Sequence, residues 1–448
     1  MSCIIKHCDT CKATNCKTRI NNIQNTMQTV VSHLNICNCI QCSNFTENNI
    51  YGIAIDIGTT TIAFELIYLY NGETYASHSL LNSQRVFGAD VISRIEASNR
   101  GNSQMLKSLI QKDVIEGIKV LCKKARISID KIKKIAISAN TVMLHLLLGY
   151  DCSGLGIYPF KTVNINTITS NFNEIFKSEL LNCQVIILPS ISAYIGADIV
   201  SGIFMCNMHK AKDISLLIDI GTNGEMALGN DEKIICTSAS AGPALEGGNI
   251  SCGIGAVDGA ISDIKYDKLN QNFIFKTIND KTPIGICGSG IIDILAELLN
   301  NNFIDNTGLL KEEYFNCGVK ITDNLYLTQQ DIRQLQLAKS AIKAGISILA
   351  NEYGIDETDI KNVYIAGGFG YYMNIKNACT IGLIPSCFDS KTLSVGNSSL
   401  GGAKKYLLDS TSVQSLQHII NISSELYLAE NKNFNDIYIK ELNFNNIT

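Results

Sequence analysis

One four-residue motif occurs twice in the sequence. Asp-Ile-Gly-Thr stands at 56–59 and again at 219–222, each time between two apolar stretches. This pattern predicts a tight turn at the end of a buried strand. Such a turn presents consecutive backbone N–H groups, glycine lets a ligand approach the backbone, and threonine hydroxyls add donors. We therefore predict two phosphate-binding turns, formed by Gly58, Thr59, Thr60 and Thr61 and by Gly221, Thr222 and Asn223.

Acidic residues accompany both turns. Asp56 and Asp219 end the preceding apolar runs, and a carboxylate in this position can hold Mg²⁺ through its water shell. Two such turns facing each other would clamp the β- and γ-phosphates of a nucleotide. Glu225 and Glu246 follow the second turn, and either could orient the attacking water, because phosphoryl transfer depends mostly on positioning. The alternative is a pair of ordinary hairpins in which aspartate only favours the turn.

A third glycine-rich turn lies at 363–370, with the sequence VYIAGGFG. An apolar strand opens here into glycines, and we predict that a helix begins near Asn374. Glycine turns and helix N-termini admit flat or anionic ligands closely, although any strand-to-helix turn of this kind also needs glycine. As the third element after two phosphate turns, Gly367 and Gly368 predict an adenosine pocket.

Strand–turn–strand patterns surround both motifs. The predicted strands are 53–57, 62–70 and 74–81 around the first motif, and 216–220, 225–228 and 233–237 around the second. Asn71 and Gly72 are typical of a hairpin turn. Apolar residues at helical spacing predict helices over about 104–126 and 331–351. Because the strand–turn–strand unit recurs 163 residues later, we predict two like-folded α/β halves.

Further motifs lie between and after the two turns. They are FGADVISRI at 87–95, NTVMLHLLLG at 140–149, SAYIGAD at 192–198, DIGTNGE at 219–225, AGPALEG at 241–247, ICGSG at 286–290, DIRQLQLAK at 331–339 and IAGGFG at 365–370. As an ordered set covering about residues 51–405, they resemble the ATP-dependent reductive activators of corrinoid proteins. These activators belong to the actin-like ATPase (ASKHA) superfamily, with acetate and sugar kinases, Hsp70 and hexokinase.

The resemblance implies a two-lobed α/β protein of actin-like ATPase fold, with ribonuclease H-like halves. It implies that Asp56 and Asp219 hold Mg²⁺, that the two turns hold the phosphates of ATP, and that Gly367 and Gly368 lie near the adenosine. Gly288 and Ser289, within ICGSG, are further candidates for nucleotide contact.

The resemblance also implies an activity. Family members use ATP to drive one electron from an iron–sulfur cluster to Co(II) of a corrinoid protein, which restores Co(I) for methyl transfer. The implied partners are that corrinoid protein, an upstream electron donor and a second copy of the chain in a homodimer.

Cysteine is concentrated at the N-terminus. Of 17 cysteines, seven fall in the first 42 residues: Cys3, Cys8, Cys11, Cys16, Cys37, Cys39 and Cys42. In a cytosolic chain, such a cluster predicts a metal site rather than disulfides. Cys3, Cys8 and Cys11 have the spacing of a plant-type 2Fe–2S loop, but the motif begins too early for the usual sheet to precede it. We predict one iron–sulfur cluster, 4Fe–4S or 2Fe–2S, with structural zinc or inert thiols as alternatives.

The composition shifts define four segments. We predict a Cys-rich metal segment with its linker at 1–50, a first ATPase lobe at 51–212, a second lobe with the adenosine turn at 213–430, and a C-terminal tail at 431–448.

Charge and hydropathy argue against a nucleic-acid-binding, membrane-spanning or secreted protein. The chain has 37 basic and 41 acidic residues, a net charge of −4, so no basic excess suggests nucleic-acid binding. No uninterrupted run of 18 apolar residues predicts a membrane span, and the N-terminus has no signal-peptide apolar region. We therefore expect a cytoplasmic protein without nucleic-acid or membrane partners.

Other functions remain open at this point. A small-molecule kinase would use the same clamp with a substrate hydroxyl and a base, but it leaves the seven cysteines unexplained. A nucleotide-gated sensor would carry structural zinc. An activator of a radical dehydratase would need paired cluster cysteines within the lobes.

Four further residues have ordinary structural explanations. We expect His145 to be a satisfied core histidine and Cys287 a packed turn residue. Asp90 and Asp198 each follow Gly-Ala, and we expect them to cap helices or to support the site indirectly.

Overall fold

Each Asp-Ile-Gly-Thr segment lies at the first turn of a six-stranded sheet in the computed structural model of the chain. The structure describes residues 50–368 and 372–444. The seven N-terminal cysteines therefore lie outside the described residues. The described residues belong to one compact unit that begins at Ile50.

The first sheet contains the first motif. Its strands are β1 (Tyr51–Ile57), β2 (Thr61–Tyr68), β3 (Thr74–Leu81), β4 (Ile132–Ala139), β5 (Ile168–Asn171) and β6 (Gln184–Ile187). They are arranged in the order β3-β2-β1-β4-β6-β5. β1 to β3 form an antiparallel meander, while β4 is parallel to β1 and β6 is parallel to β4. The motif thus sits at the carboxyl end of the central strand.

The remaining strands follow in the second half of the chain. They are β7 (Ser215–Ile220), β8 (Gly224–Gly229), β9 (Ile234–Ala239), β10 (Ala260–Asp267), β11 (Asn272–Thr277), β12 (Gly285–Ile286), β13 (Val319–Lys320), β14 (Tyr326–Leu327), β15 (Asn362–Ala366), β16 (Thr392–Gly396) and β17 (Ser423–Glu425). The second large sheet has the order β16-β15-β7-β8-β9-β17, and β10 to β14 form two smaller sheets.

The two large sheets repeat one topology. In the second, β7 to β9 form the antiparallel meander, β15 is parallel to β7 and β16 is parallel to β15. The second motif therefore follows the strand that corresponds to β1. The prediction of two like-folded α/β halves is confirmed.

The helices cover these sheets. They are α1 (Val91–Ala97), α2 (Ser103–Ala125), α3 (Thr141–Leu148), α4 (Phe172–Phe176), α5 (Ala197–Met205), α6 (Gly288–Asn300), α7 (Gln329–Tyr353), α8 (Ile375–Thr380), α9 (Ser398–Leu408), α10 (Ser412–Ile422) and α11 (Phe434–Lys440). Both long predicted helices are present, as α2 and α7. Within the described part of the chain, no helix is long and apolar enough to cross a bilayer.

Local sequence explains where the longest helix begins and ends. Thr328 caps α7 and shares a reciprocal capping box with Asp331, while Gly354 ends the helix in the left-handed conformation, with φ +85°. Both devices satisfy backbone groups that a helix end leaves unpaired.

Helix α9 ties the two halves together. It follows β16 of the second sheet, yet it packs against β1 and β4 of the first sheet and against α5. Its first turn consequently lies at the carboxyl end of β1, beside the first Asp-Ile-Gly-Thr motif.

The described part of 431–448 packs against α7. Lys339 donates to the Asn443 carbonyl at 2.6 Å, and Gln336 donates to the Leu442 carbonyl at 2.7 Å. These contacts fix the residues after α11 to a buried helix face.

Candidate functional site

The first predicted phosphate turn joins β1 to β2. The Gly58 N–H closes the turn by donating to the Thr61 carbonyl at 2.9 Å. Asn82, fully buried, donates from its side chain to the Gly58 carbonyl at 3.0 Å and from its backbone to the Thr60 carbonyl at 2.9 Å. The turn is therefore held in shape by the protein itself.

Two further side chains hold Thr59 in this turn. Arg94 of α1 donates from Nη2 to the Thr59 carbonyl at 2.6 Å. Asn140, which caps α3, donates to Thr59 Oγ1 at 3.1 Å. Neither contact was predicted from the sequence, although both donors lie within motifs that carried the resemblance.

Asp56 is anchored from the far half of the chain. Asn397 and Ser399, at the start of α9, donate to its two carboxylate oxygens at 2.7 and 2.6 Å. Ser399 Oγ also lies 2.9 Å from Ser138 Oγ, which lies 2.8 Å from Ser201 Oγ. Because a hydroxyl has one proton and an ionised carboxylate only accepts, the hydroxyl donors run from Ser201 through Ser138 and Ser399 to Asp56.

Side chains of the second predicted phosphate turn donate hydrogen bonds to both predicted glutamates, Glu225 and Glu246. The Gly221 N–H donates to the Asn223 carbonyl at 2.9 Å. Asn223 Nδ2 donates to Glu225 at 3.1 Å, and Thr222 Oγ1 donates to Glu246 at 3.1 Å. Two carboxylates consequently hold the side chains of this turn.

The third turn lies directly against the second. Gly367 has φ +95°, and a Cβ there would lie 2.5 Å from the Ile220 carbonyl oxygen and 3.0 Å from Asp219 Oδ1. Only glycine fits this approach without movement of the backbone. The Gly367 N–H donates to the Gly396 carbonyl at 3.1 Å, and Gly396 precedes the Asn397 that holds Asp56. The ends of β15 and β16 therefore connect the two motifs.

Carboxylates from both halves share one electrostatic environment. Burial, followed by the negative charges of Asp198, Asp56 and Glu246, raises the pKa of Asp219 to about 8. Burial and the charge of Asp56 raise the pKa of Asp198 to about 7. The pKa of Glu225 is also raised, by burial and by Asp198 and Asp219. Like charges in a desolvated site disfavour ionisation of one another.

Asp56 is buried like the other carboxylates, but two hydrogen-bond donors also act on its pKa. Burial raises its pKa, while the hydrogen bonds from Ser399 and Asn397 act in the opposite direction. Those two donors favour the ionised carboxylate, which is the form that a cation needs.

The carboxylate set has the chemistry of a divalent-cation site. In the described part of the chain, none of the ion pairs includes Asp56, Asp198, Asp219, Glu225 or Glu246. A cation would relieve their mutual repulsion. No three His, Cys, Asp or Glu side chains among the described residues are arranged to hold a metal by themselves. This arrangement suits Mg²⁺, which keeps several waters and uses one or two carboxylates together with substrate phosphates.

Asp198 was expected to cap a helix or to support the site indirectly, and the structure agrees with the second alternative. It lies in the first turn of α5, and its charge acts on Asp219 and Glu225. For Asp90, which follows the same dipeptide, the first alternative holds: it caps α1 and accepts the Ser93 N–H at 2.8 Å.

Gly288 and Ser289 begin α6. Ser289 Oγ donates to the Ser262 carbonyl at 2.9 Å, and Cys287 Sγ donates to the Ile261 carbonyl at 3.3 Å. The described side-chain contacts here are with β10 rather than with the phosphate turns. Cys287 is a packed turn residue as predicted, while nucleotide contact by Gly288 and Ser289 stays a prediction.

His145 is a satisfied core histidine, as expected. It is fully buried; Nδ1 lies 2.8 Å from the Thr141 carbonyl, and Nε2 lies 3.1 Å from the Val163 N–H. Nδ1 therefore donates and Nε2 accepts, which is the neutral tautomer. Burial also lowers its pKa.

The described cysteines are free thiols. Eight of the ten are buried, Cys387 is intermediate and Cys317 is exposed. The predicted ligands Cys3, Cys8, Cys11, Cys16, Cys37, Cys39 and Cys42 lie outside the described residues.

Two sheets of one topology, each with a glycine turn after its first strand, define a protein of the actin-like ATPase (ASKHA) class. Comparison with protein-family models agrees. The model described as "C-terminal domain of RACo the ASKHA domain" matches residues 213–448, and the one described as "RACo middle region" matches residues 51–211. The chain belongs to the RACo family.

Several relatives have descriptive names. The chain is 32% identical over 428 residues to the "corrinoid activation enzyme RamQ" of Eubacterium limosum, covering 90% of this chain and 72% of that protein. It is 26% identical over 427 residues to the "[Co(II) methylated amine-specific corrinoid protein] reductase" of Methanosarcina barkeri, covering 88% and 77%. A solved structure, "Reductive activator for corrinoid,iron-sulfur protein", superposes with a TM-score of 0.80 at 34% identity, covering 90% of this chain and 67% of that one.

Proposed function

We propose that this chain is an ATP-dependent reductive activator of a corrinoid protein and returns its cobalt from Co(II) to Co(I). Membership of the RACo family supports this activity, as do the names of relatives that match about nine-tenths of the chain. One observation carries the nucleotide-dependent part. Two like turns from opposite halves follow aspartates whose charges act on each other, and the third turn at Gly367 lies against the strand end that carries Asp219.

The geometry suggests a role for each predicted residue. Asp56 and Asp219 would hold Mg²⁺ through its waters, and the backbone N–H groups of the two turns would bind the phosphates of ATP. Glu225 and Glu246, which already accept from Asn223 and Thr222, would orient the attacking water. Gly367 and Gly368 would lie beside the adenosine.

ATP is needed because the reduction is expected to be uphill. Each 59 mV of unfavourable one-electron transfer costs about 1.4 kcal/mol, so a gap of a few hundred millivolts needs several kcal/mol. Closure of the two halves on the nucleotide would supply this if the closed form binds the corrinoid protein differently from the open form. Helix α9 would transmit the movement, because it joins the second half to Asp56.

The N-terminal cysteines would hold the electron-transfer centre. An iron–sulfur cluster, 4Fe–4S or 2Fe–2S, would supply the electron when bound there, with ligands drawn from the seven cysteines. We further propose an upstream electron donor, a homodimer, a cytoplasmic location, and the two lobes at 51–212 and 213–430 as the moving units.

The test begins with protein purified under strict anaerobiosis. Iron, sulfide and zinc are assayed, and visible spectra are recorded. We expect about two or four irons per chain with matching sulfide. Zinc without iron would contradict the electron-transfer role and leave a nucleotide-driven clamp.

The second stage measures the reaction. A corrinoid protein of a methyltransferase system, poised as Co(II), is mixed with the chain, a low-potential reductant and MgATP. The Co(I) absorption should grow with ATP and not without it. Phosphate release should rise with the corrinoid protein and not with sugars or acetate, whereas stimulation by those substrates would favour the kinase alternative.

A further inference from the structure

Arg94 is the largest fully buried side chain of the described residues. Its guanidinium donates to the Gly88 carbonyl at 3.1 Å, to Met143 Sδ at 3.3 Å and to the Thr59 carbonyl at 2.6 Å. A weaker contact of 3.5 Å reaches Gln84 Oε1. All of these acceptors are neutral.

Arg94 also has no ion-pair partner among the described residues. The nearby Asp90 uses its two carboxylate oxygens to accept from the Ser93 N–H and hydroxyl, at 2.8 and 2.9 Å. Burial lowers the pKa of Arg94 to about 10, so the guanidinium keeps its charge near neutral pH. The charge of Asp90 raises this pKa in part, but no described carboxylate accepts a hydrogen bond from the guanidinium. A buried charge without a paired carboxylate is costly, and an anion bound nearby would reduce that cost.

The contact with Thr59 indicates where that anion would lie. The Thr59–Thr60 peptide is trans, since the only cis bond among the described residues is Tyr158–Pro159. In a planar trans peptide the C=O and the following N–H point in opposite directions. Arg94 therefore fixes the Thr59 carbonyl on one side of the turn and directs the Thr60 N–H to the other. Within the described part of the chain, that N–H has no acceptor.

We propose that Arg94 is a positioning residue that makes the first turn selective for a nucleoside triphosphate over less charged nucleotides. It holds the Thr60 N–H toward the ligand, and its buried charge attracts the phosphates without touching them. The inference rests on the proposed function, because it assumes that the turn binds a nucleotide. The inference goes beyond that function by naming Arg94 as the residue that makes the turn prefer the more highly charged nucleotide.

The test compares affinities for ATP, ADP and AMP by isothermal titration calorimetry at constant Mg²⁺. Arg94→Gln removes the charge and keeps a donor for the Thr59 carbonyl. We expect it to weaken ATP binding about ten- to a hundredfold, ADP binding less, and AMP binding less than about threefold. Arg94→Lys should keep most of the ATP-to-AMP ratio. Arg100→Gln is the matched control, because Arg100 is exposed and, among the described residues, pairs only with Glu96 at 3.3 Å.

A purely structural role would weaken all three nucleotides by the same factor, and that result would overturn the inference. So would an Arg94→Gln variant with the wild-type ratio. If the wild-type chain bound no nucleotide at all, the proposed function would fail as well. These outcomes separate the two claims.

A measurement on the wild-type chain guards against a variant that does not fold. Amide hydrogen exchange of a peptide containing residues 58–62 should slow at least about tenfold with saturating ATP, because the Thr60 N–H gains an acceptor. Saturating adenosine should not slow it. Equal exchange with and without ATP would overturn the inference.

Discussion

The sharpest test of the site is Gly367→Ala. Gly367 has φ +95°, and a Cβ there would lie 2.5 Å from the Ile220 carbonyl and 3.0 Å from Asp219 Oδ1. Both obstacles belong to the strand end that carries the second phosphate turn. The substitution must therefore either strain the third turn or push the second turn away.

The expected magnitude follows from two costs. A left-handed conformation costs an alanine about 1–2 kcal/mol, and crowding of this kind in a packed site costs about 1–3 kcal/mol. We expect Gly367→Ala to lower the free energy of unfolding by about 2–5 kcal/mol. Because a displaced second turn would no longer match the phosphates, ATP affinity should fall at least about tenfold.

Gly101→Ala is the matched control. Gly101 has φ +94°, and a Cβ there meets no atom within 4 Å, so this variant carries the backbone cost alone. Urea unfolding gives the stability of both variants, and calorimetry gives ATP binding. If Gly367→Ala loses no more stability than Gly101→Ala and binds ATP like the wild type, then the third turn does not lie against the second as described.

Three further predictions concern the candidate cation site, a buried lysine and the N-terminal cysteines. Asp56→Asn should lower Mg²⁺-dependent ATP hydrolysis at least about a hundredfold with little change in the urea midpoint; unchanged hydrolysis would exclude Asp56 as the cation ligand. Burial lowers the pKa of Lys339 to about 8 from an ordinary value of about 10.4, so between these pH values the folded chain binds fewer protons than the unfolded chain. The free energy of unfolding should rise with pH across that window by up to about 3 kcal/mol, Lys339→Met should abolish the rise, and the exposed control Lys432→Met should retain it. Replacing Cys8 and Cys11 together by serine should remove most of the iron and leave ATP affinity within about twofold, whereas full iron content would place the cluster ligands elsewhere.

Much of the local structure could be read from the sequence. Asn71 and Gly72 predicted the β2–β3 hairpin, where the Gly72 N–H donates to the Tyr68 carbonyl at 2.8 Å. Apolar spacing predicted α7, and the capping box of Thr328 and Asp331 fixes where that helix begins. These signals work because a turn or a cap is decided by residues close together in the chain.

The sequence also showed the motifs of the candidate site, but it did not show every residue that acts on their side chains. Asp198, Asn397 and Ser399 act on the two motif aspartates from 21 to 343 positions away along the chain. No spacing rule connects such positions, because helix periodicity and turn preferences extend over only a few residues. For Asp198 the sequence left a cap and an indirect supporting role open, because the same Gly-Ala-Asp sequence at Asp90 forms a cap.

The sequence by itself determined the two Asp-Ile-Gly-Thr turns, the repeated half and the family, because backbone N–H groups, glycine freedom and apolar periodicity are local properties. Only the tertiary structure decided which charged side chains lie close enough to change one another's pKa. Folding brings carboxylates from both halves close enough to raise one another's pKa and buries Arg94 beside the first turn, so each group changes the ionisation or the orientation of groups far from it in the chain. The reason is physical. The energy of a buried charge depends on its distance from other charges and from water, and both distances are set by how the two halves pack.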